Sequence, residues 1–212
     1  MTPATAPSTL GRPRDDSREA AILDATLAVL SEVGYDRLTI DAVAAKAKAS
    51  KATVYRRWSS KAGLVVDAMQ TLKPKPPSGE GELPCYWPNT GSLRGDLMAG
   101  VRNFADRLAS DEGKLMAAVM SAQMRDPELA AAMRESTTDE KLRSCRILVD
   151  RAIARGEVAS KVGSDTFVEV LPAVMFNRLL ITGQPFDDAF VTHVVDDIAL
   201  PLLTRHAAAS SS

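Results

Sequence analysis

The stretch SKATVYRRW, residues 50–58, combines hydroxyl, basic and aromatic side chains in one short segment. Proteins use these side-chain types to bind the phosphates and base edges of nucleic acids. The surrounding residues 37–61 contain seven Lys and Arg and a single acid, Asp41, which gives a formal charge of +6 and leaves −7 for the rest of the −1 chain. A basic segment in an otherwise acidic protein predicts a site for a polyanion, although a solvated helical face is the simpler alternative.

A helical projection divides this stretch into two faces. At about 100° per residue, Val54 and Trp58 fall on one side, which we predict to face the core. The opposite side and its flank are small, polar or cationic: Ala52, Thr53, Tyr55 and Arg56. Arg suits guanine O6 and N7, whereas Thr and Ala suit thymine methyls or base edges in the major groove. Tyr55, Lys51 and Lys61 suit phosphate contacts.

Short helices predicted at 40–47 and 51–58 place this stretch in a helix-turn-helix motif. Helices of this length are marginal in water, so they must pack against a longer first helix, predicted at 17–33. A further helix is predicted to run to Leu72. The predicted boundary residues are Gly34, which ends the first helix, and the N-caps Thr39, Ser50 and Ser60.

The N-terminal residues 1–14 are predicted to form a flexible basic arm. Arg12 and Arg14 flank Pro13, which favours an extended backbone. An extended arginine arm can enter the minor groove beside a recognition helix. A disordered basic tail without a DNA contact is the alternative.

Residues 73–91 hold five Pro and three Gly, a density that no helix tolerates. We therefore place a domain boundary here. The predicted domains are a helix-turn-helix domain with a connecting helix at 15–72, a ligand-binding and dimerisation domain at 73–206, and a tail at 207–212. The fold class is all-α, with a three-helix N-terminal domain, a C-terminal helical bundle and about nine helices in total.

Residues 20–65 resemble the DNA-binding domain of the TetR family of bacterial transcriptional repressors. The resemblance rests on ILDA, on GY followed by Thr39, on VA at 43–44, on SKATVYRRW and on SSK at 59–61. It implies homodimers that bind operator DNA and release it when a small molecule binds. The family's DNA-contacting positions correspond to Thr39, Ser50, Lys51, Thr53, Tyr55, Arg56 and Lys61.

Two residues depart from the family pattern. Lys48 stands in the turn and Ala52 in the recognition helix, where the family commonly has Gly. A left-handed Lys48 costs about 1 kcal/mol, so the turn is expected to differ in detail. The methyl of Ala52 is expected to alter base preference.

The last two long predicted helices are apolar on almost every side, which is typical of helices buried on two sides. One side is expected to face the subunit's own core and the other a second copy of the chain, although a central position within one subunit is the alternative. The predicted dimer interface comprises Phe176, Leu180, Phe190, Val194, Val195 and Ile198. The predicted effector pocket, whose residues could equally be plain core, comprises Met98, Phe104, Met116, Met120, Met124, Phe167 and Phe176.

The remaining features favour a regulator over an enzyme. His193 can pair with Asp196 or Asp197, but these residues lie on an exposed face, and the sequence has no phosphate-binding loop or metal-ligand cluster. We therefore predict no catalysis, cofactor or metal. The expected partners are double-stranded operator DNA, a small-molecule effector and a second copy of the chain. A transcriptional activator or dual regulator of the same fold and a non-specific DNA-binding protein remain alternatives. Without a signal peptide or membrane span, a cytoplasmic location is expected.

Overall fold

A computed structural model of the chain describes residues 13–73, 87–159 and 164–204, with the backbone alone for 13–16 and 137–141. The chain divides into two compact units, with the division after Thr71. Every regular element in the described ranges is helical, which confirms the predicted all-α fold.

The N-terminal unit contains four helices. They are α1 (Pro13–Arg37), α2 (Ile40–Lys46), α3 (Lys51–Arg57) and α4 (Lys61–Gln70). α1 begins at Pro13, before the predicted Ser17, because the first helical position needs no amide donor. Its backbone leaves helical geometry at Gly34, the predicted end, with φ 74° and ψ 170°. The positive φ suits glycine, but the extended ψ differs from the left-handed turn that the sequence predicted.

Hydroxyl side chains begin the three shorter helices, as predicted. The side-chain oxygens of Thr39, Ser50 and Ser60 accept backbone amide hydrogens at 3.2, 3.1 and 3.1 Å. Each cap satisfies an amide that has no partner within its own helix. These caps fix where α2, α3 and α4 start.

The turn between α2 and α3 keeps its left-handed conformation although Lys48 occupies it, with φ 52°. The Lys48 amide donates to the Ala45 carbonyl at 3.2 Å, and the Ala49 amide donates to the Ala44 carbonyl at 2.9 Å. This pair of hydrogen bonds is the Schellman motif. Lysine therefore preserves the turn, at a conformational cost of about 1 kcal/mol.

The C-terminal unit is a helical bundle. Its first four helices are α5 (Leu93–Ala109), α6 (Asp111–Gln123), α7 (Pro127–Ala154) and α8 (Ser164–Asn177). α8 continues without a break into the π-helical segment Arg178–Thr182, and α9 (Asp188–His193) continues through π-helical Val194–Ala199 into α10 (Leu200–Thr204). Counted as continuous rods, the described helices of both units number nine, which agrees with the predicted number.

One side of the last rod packs into its own bundle. Val191, Val194 and Val195 have no solvent exposure within the single chain, and Leu203 has 1%. They share a core with side chains from α5, α7 and α8, including Leu97, Leu148 and Met175. One side of the last rod is thus covered by intramolecular packing.

Candidate nucleic-acid interface

Two buried side chains attach α3 to the N-terminal unit. Val54 has no solvent exposure and Trp58 has 5%. Burying side chains of this size stabilises the fold by about 1.5–3 kcal/mol each. The Trp58 indole also donates a hydrogen bond to the Asp67 carboxylate of α4 at 2.8 Å. Both residues therefore face the core, as the helical projection predicted.

The opposite face of α3 is open to solvent. Ala52 and Arg56 are exposed, and Tyr55 is 50% exposed. Thr53 is half-buried, with its hydroxyl 2.8 Å from that of Ser50. A helix that presents small, cationic and aromatic side chains on one face can fit the major groove of B-DNA.

Two further predicted DNA contacts already have partners within the unit. The Lys51 ammonium lies 2.6 Å from the Asp41 carboxylate of α2, and their hydrogen bond raises the pKa of Lys51 above its ordinary value. Lys61 donates to the Tyr35 carbonyl at 3.2 Å, and its ammonium lies 4.1 Å from the centre of the Tyr35 ring. Either lysine must share its charge with these groups when it meets a phosphate.

Acidic side chains from α1 reach the basic segment that the sequence defined. Glu19 pairs with Arg57, and Glu32 pairs with Lys46. Both acids lie outside residues 37–61, so counting charge along the chain omitted them. Residues 1–71 together hold ten Lys and Arg against eight Asp and Glu, a formal charge of +2. The cationic surface is thus narrower than the charge of +6 suggested.

The last two residues of the predicted arm are helical. The backbone of Arg14 belongs to α1 and is helical, because Pro13 starts the helix. This corrects the expectation of an extended backbone through residue 14. Arg12 lies outside the described residues.

Part of the predicted effector pocket comes together in the C-terminal bundle. The rings of Phe104 and Phe176 meet edge to face, with centroids 6.1 Å apart. Met98 and Met116 are partly buried and pack against the same core, and Met120 is half-buried.

The other predicted pocket residues have different environments. Met124 is 87% exposed at the C-terminal end of α6, so it is removed from the pocket. Phe167 is fully buried and packs on Trp87 with ring centroids 5.4 Å apart. The Trp87 carbonyl accepts a hydrogen bond from Arg151 at 2.6 Å, which fixes this end of the predicted loop.

Three predicted interface residues are covered by the chain itself. Phe190 is 7% exposed, and Val194 and Val195 are not exposed. A partner cannot contact these side chains directly, because the chain's own bundle covers them. The prediction was wrong for these three residues because the sequence pattern does not show which apolar side of the last rod its own bundle covers. Phe176 and Ile198 are half-buried and Leu180 is 48% exposed. Ile181, which is not among the predicted interface residues, is 78% exposed.

A buried polar cluster was missed at the sequence level. The side chain of Asp96 has no exposure and accepts hydrogen bonds from the Thr90 amide and hydroxyl, at 2.6 and 2.8 Å, and from Arg155 at 3.0 Å. Glu157 in turn accepts from Arg155 at 2.7 Å and from the Leu93 amide at 3.0 Å. Burial by itself raises the pKa of Asp96, but the hydrogen bonds and the Arg155 charge outweigh it and lower that pKa below its usual value. The position of Asp96, three residues after Leu93 on an apolar stripe of α5, was the sequence signal that could have indicated a buried acid.

The histidine and the cysteine that could carry out catalysis are engaged in an exposed ion pair and buried in the core, respectively. His193 pairs with Asp197 at 2.7 Å on an exposed face, while Asp196 binds Arg94 instead. Cys145 is a free, buried thiol, and burial raises its pKa to about 12, so it is protonated at neutral pH. In the three described ranges, no group of three or more His, Cys, Asp or Glu side chains is suited to a metal ion. None of the helices described is long and apolar enough to cross a bilayer.

Family models match both units. One described as "Bacterial regulatory proteins, tetR family" matches residues 22–68, and one described as "Tetracyclin repressor-like, C-terminal domain" matches residues 87–198, more than half of the chain. The chain belongs to the TetR family. This confirms the resemblance seen in residues 20–65 and extends it to the C-terminal unit. The TetR-family chain is accordingly a DNA-binding transcriptional regulator.

Individual relatives agree with this assignment. The TetR-family chain is 38% identical over 203 residues to the uncharacterized HTH-type transcriptional regulator Rv1556 of Mycobacterium tuberculosis, covering 92% of this chain and 94% of that one. It is 36% identical over 190 residues to the DNA-binding transcriptional repressor TetR of Mycobacteroides abscessus, covering 90% and 96%. The crystal structure of the TetR family transcription regulator SCO0332 matches with a TM-score of 0.67 at 27% identity, covering 89% and 100%.

Proposed function

We propose that this TetR-family regulator is a repressor that binds a palindromic operator as a homodimer, with α3 in the major groove. The observation that carries the proposal is the division of α3 into a buried side, Val54 and Trp58, and an exposed side that includes Ala52, Tyr55 and Arg56. The similar protein of Mycobacteroides abscessus is itself a repressor. An activator that binds DNA in the same way is the second candidate.

The proposed contacts divide into base readout and phosphate binding. Arg56 reads guanine, and Ala52 and Thr53 meet thymine methyls or base edges. Tyr55, Thr39, Ser50, Lys51 and Lys61 contact the sugar-phosphate backbone. Arg12, which precedes α1 in the sequence, and Arg14, in the first turn of α1, are proposed to contribute further cationic side chains. Two such heads in a dimer are expected to read half-sites about 34–36 Å apart.

Selection of bound fragments from random DNA tests this proposal. Arg56→Ala is expected to lose about 10-fold or more in operator affinity and to relax base preference at one position of each half-site. Tyr55→Ala is expected to weaken binding to all sequences alike. Arg18→Ala, an exposed cation on α1, is the matched control and is expected to bind as the wild type does. Wild-type operator affinity in the Arg56 and Tyr55 variants contradicts the assignment of α3.

We propose that the effector binds within the C-terminal bundle, beside Phe104 and Phe176 and near Met98 and Met116. In one conformation of the proposed dimer, the two helix-turn-helix units are spaced too poorly to bind both half-sites. An effector that binds this conformation more tightly than the DNA-binding one lowers operator affinity by the difference between its two binding free energies, typically about 1–3 kcal/mol. Screening for compounds that release the selected operator tests this. A compound that releases DNA equally well from wild type and Phe104→Ala contradicts the proposed location.

The proposed dimer face is revised to the exposed and half-buried residues of the last two rods. Its members are Phe176, Leu180, Ile181 and Ile198. Ile181→Glu is expected to produce a folded monomer in sedimentation, because it places a charge in an apolar interface. Val194→Asp is expected to unfold the bundle instead, since that side chain is fully buried. A dimer that persists in Ile181→Glu contradicts this face.

We further propose that the protein acts in the cytoplasm, where bacterial operators lie, and has no enzymatic activity. The ordinary environments of His193 and Cys145 support the second point.

A further inference from the structure

Asp41, in the first turn of α2, pairs with the first residue of α3. Its carboxylate lies 2.6 Å from the Lys51 ammonium. Both side chains are more than half exposed, at 64% for Asp41 and 58% for Lys51. The pair therefore lies in solvent at the beginning of the helix that presents Arg56.

A lysine that is paired with an acid contributes less to DNA binding than an unpaired lysine does. Association with DNA is driven largely by counterions released when protein cations neutralise phosphates. Lys51 and Asp41 together carry no net charge, so the pair releases few counterions from a phosphate that it contacts. The carboxylate also repels any phosphate that approaches the same ammonium.

We propose that Asp41 sets the DNA affinity of this regulator by occupying Lys51 and weakening its contact with the phosphate backbone. The inference rests on the proposed function, because it requires α3 to lie against DNA. Exposed ion pairs are weak and screened by salt, so Asp41 competes with phosphate without blocking it. The result is a lower affinity for every sequence, while base readout by Arg56 is untouched.

Full-length Asp41→Asn tests the proposal in a salt series with the selected operator and with a random duplex of equal length. Freeing Lys51 is expected to steepen the slope of log K against log salt by about 0.9 for each head that gains a phosphate contact. Over the tenfold range from 1 M to 0.1 M salt, a slope difference of about 0.9 corresponds to about 8-fold tighter binding for each helix-turn-helix unit, on both duplexes. An unchanged slope and affinity overturn the proposal.

Glu32→Gln is the matched control. It changes the formal charge by the same amount and breaks the corresponding exposed pair with Lys46, but Lys46 is not a proposed DNA contact. The affinity is expected to stay within about 2-fold of wild type, and the slope of log K against log salt within about 0.3. These limits are roughly the scale of a long-range effect of one screened charge. A gain equal to that of Asp41→Asn shows an effect of net charge and overturns the proposal.

Lys51→Ala completes a double-mutant cycle. In the Lys51→Ala background, Asp41→Asn is expected to change affinity by less than about 2-fold, because the lysine that Asp41 occupies is gone. If the gain persists without Lys51, Asp41 acts on DNA directly and the proposal is overturned. Failure of the proposed function looks different: wild type shows no preference for the selected operator, while the random duplex still reports on Asp41.

Discussion

Ion pairs occur in both units of the protein, and side-chain exposure divides them into two kinds. In the helix-turn-helix unit, the side chains of the Lys51–Asp41 and Lys46–Glu32 pairs are 38–64% exposed. In the C-terminal unit Asp96 is fully buried, and it binds both Arg155 and the backbone of the segment before α5.

This difference separates two uses of the same chemistry. An exposed pair contributes little to stability and can exchange its partner for a phosphate. A buried carboxylate has lost its water, so its protein hydrogen bonds must all be present. We expect the exposed pairs to tune binding and the buried pair to fix the geometry of the bundle.

Removing the buried carboxylate is expected to have the largest effect. Asp96→Ala leaves the Thr90 amide and hydroxyl and part of the Arg155 guanidinium without their acceptor, which should lower the free energy of unfolding by about 3 kcal/mol. Urea denaturation measures the loss. Asp106→Ala, an exposed acid on the same helix, is the control and should change stability by less than about 0.5 kcal/mol. Equal losses in the two variants would remove the distinction between buried and exposed acids.

Acid titration sharpens the same contrast. The pKa of Asp96 is lower in the folded protein than its usual 3.8, so the folded state favours the ionised form. Its stabilisation is complete above the unfolded pKa and is lost as the pH falls through the folded pKa, below about pH 4. Denaturation midpoints across pH 2–6 should fall less steeply in Asp96→Asn than in wild type over this range, since the amide does not titrate. Parallel curves would contradict the assignment.

The turn before α3 provides a smaller effect in the opposite direction. Lys48 holds a left-handed backbone conformation in this turn, so removing its backbone strain should stabilise the unit. Lys48→Gly removes the strain of a left-handed lysine and is expected to raise the free energy of unfolding by about 0.5–1 kcal/mol. Thermal denaturation measures the change. Lys46→Gly, at the last residue of α2, should instead lower the free energy of unfolding, by at most the helix penalty of about 1 kcal/mol.

The smallest effect is expected for an exposed pair. Lys46→Ala breaks the contact with Glu32 and should change the free energy of unfolding by less than about 0.5 kcal/mol, because solvent screens the pair and Ala favours helix. A loss as large as that of Asp96→Ala would show that exposure does not separate the two classes.

The sequence predicted the helix-turn-helix unit closely because its determinants are local. Caps at Thr39, Ser50 and Ser60 and the apolar pair Val54 and Trp58 depend only on neighbours within a turn or two. The bundle was less predictable, since an all-round apolar helix does not show which side its own subunit covers. Val194 was therefore assigned to a partner although it lies in the core. The contacts of Asp96 with Arg155 and of Glu19 with Arg57 join distant segments, which periodicity does not reveal.

The two tryptophans of the chain provide one fluorescent reporter for each unit. Trp58 closes α3 and donates to Asp67, whereas Trp87 packs on Phe167 in the bundle. Trp87→Phe leaves an emission signal from Trp58 in the helix-turn-helix unit, and Trp58→Phe leaves one from Trp87 in the C-terminal unit. Because both indoles are buried, their emission will shift when their surroundings rearrange. The order in which an effector alters the bundle and then the recognition helix can thus be timed within one molecule.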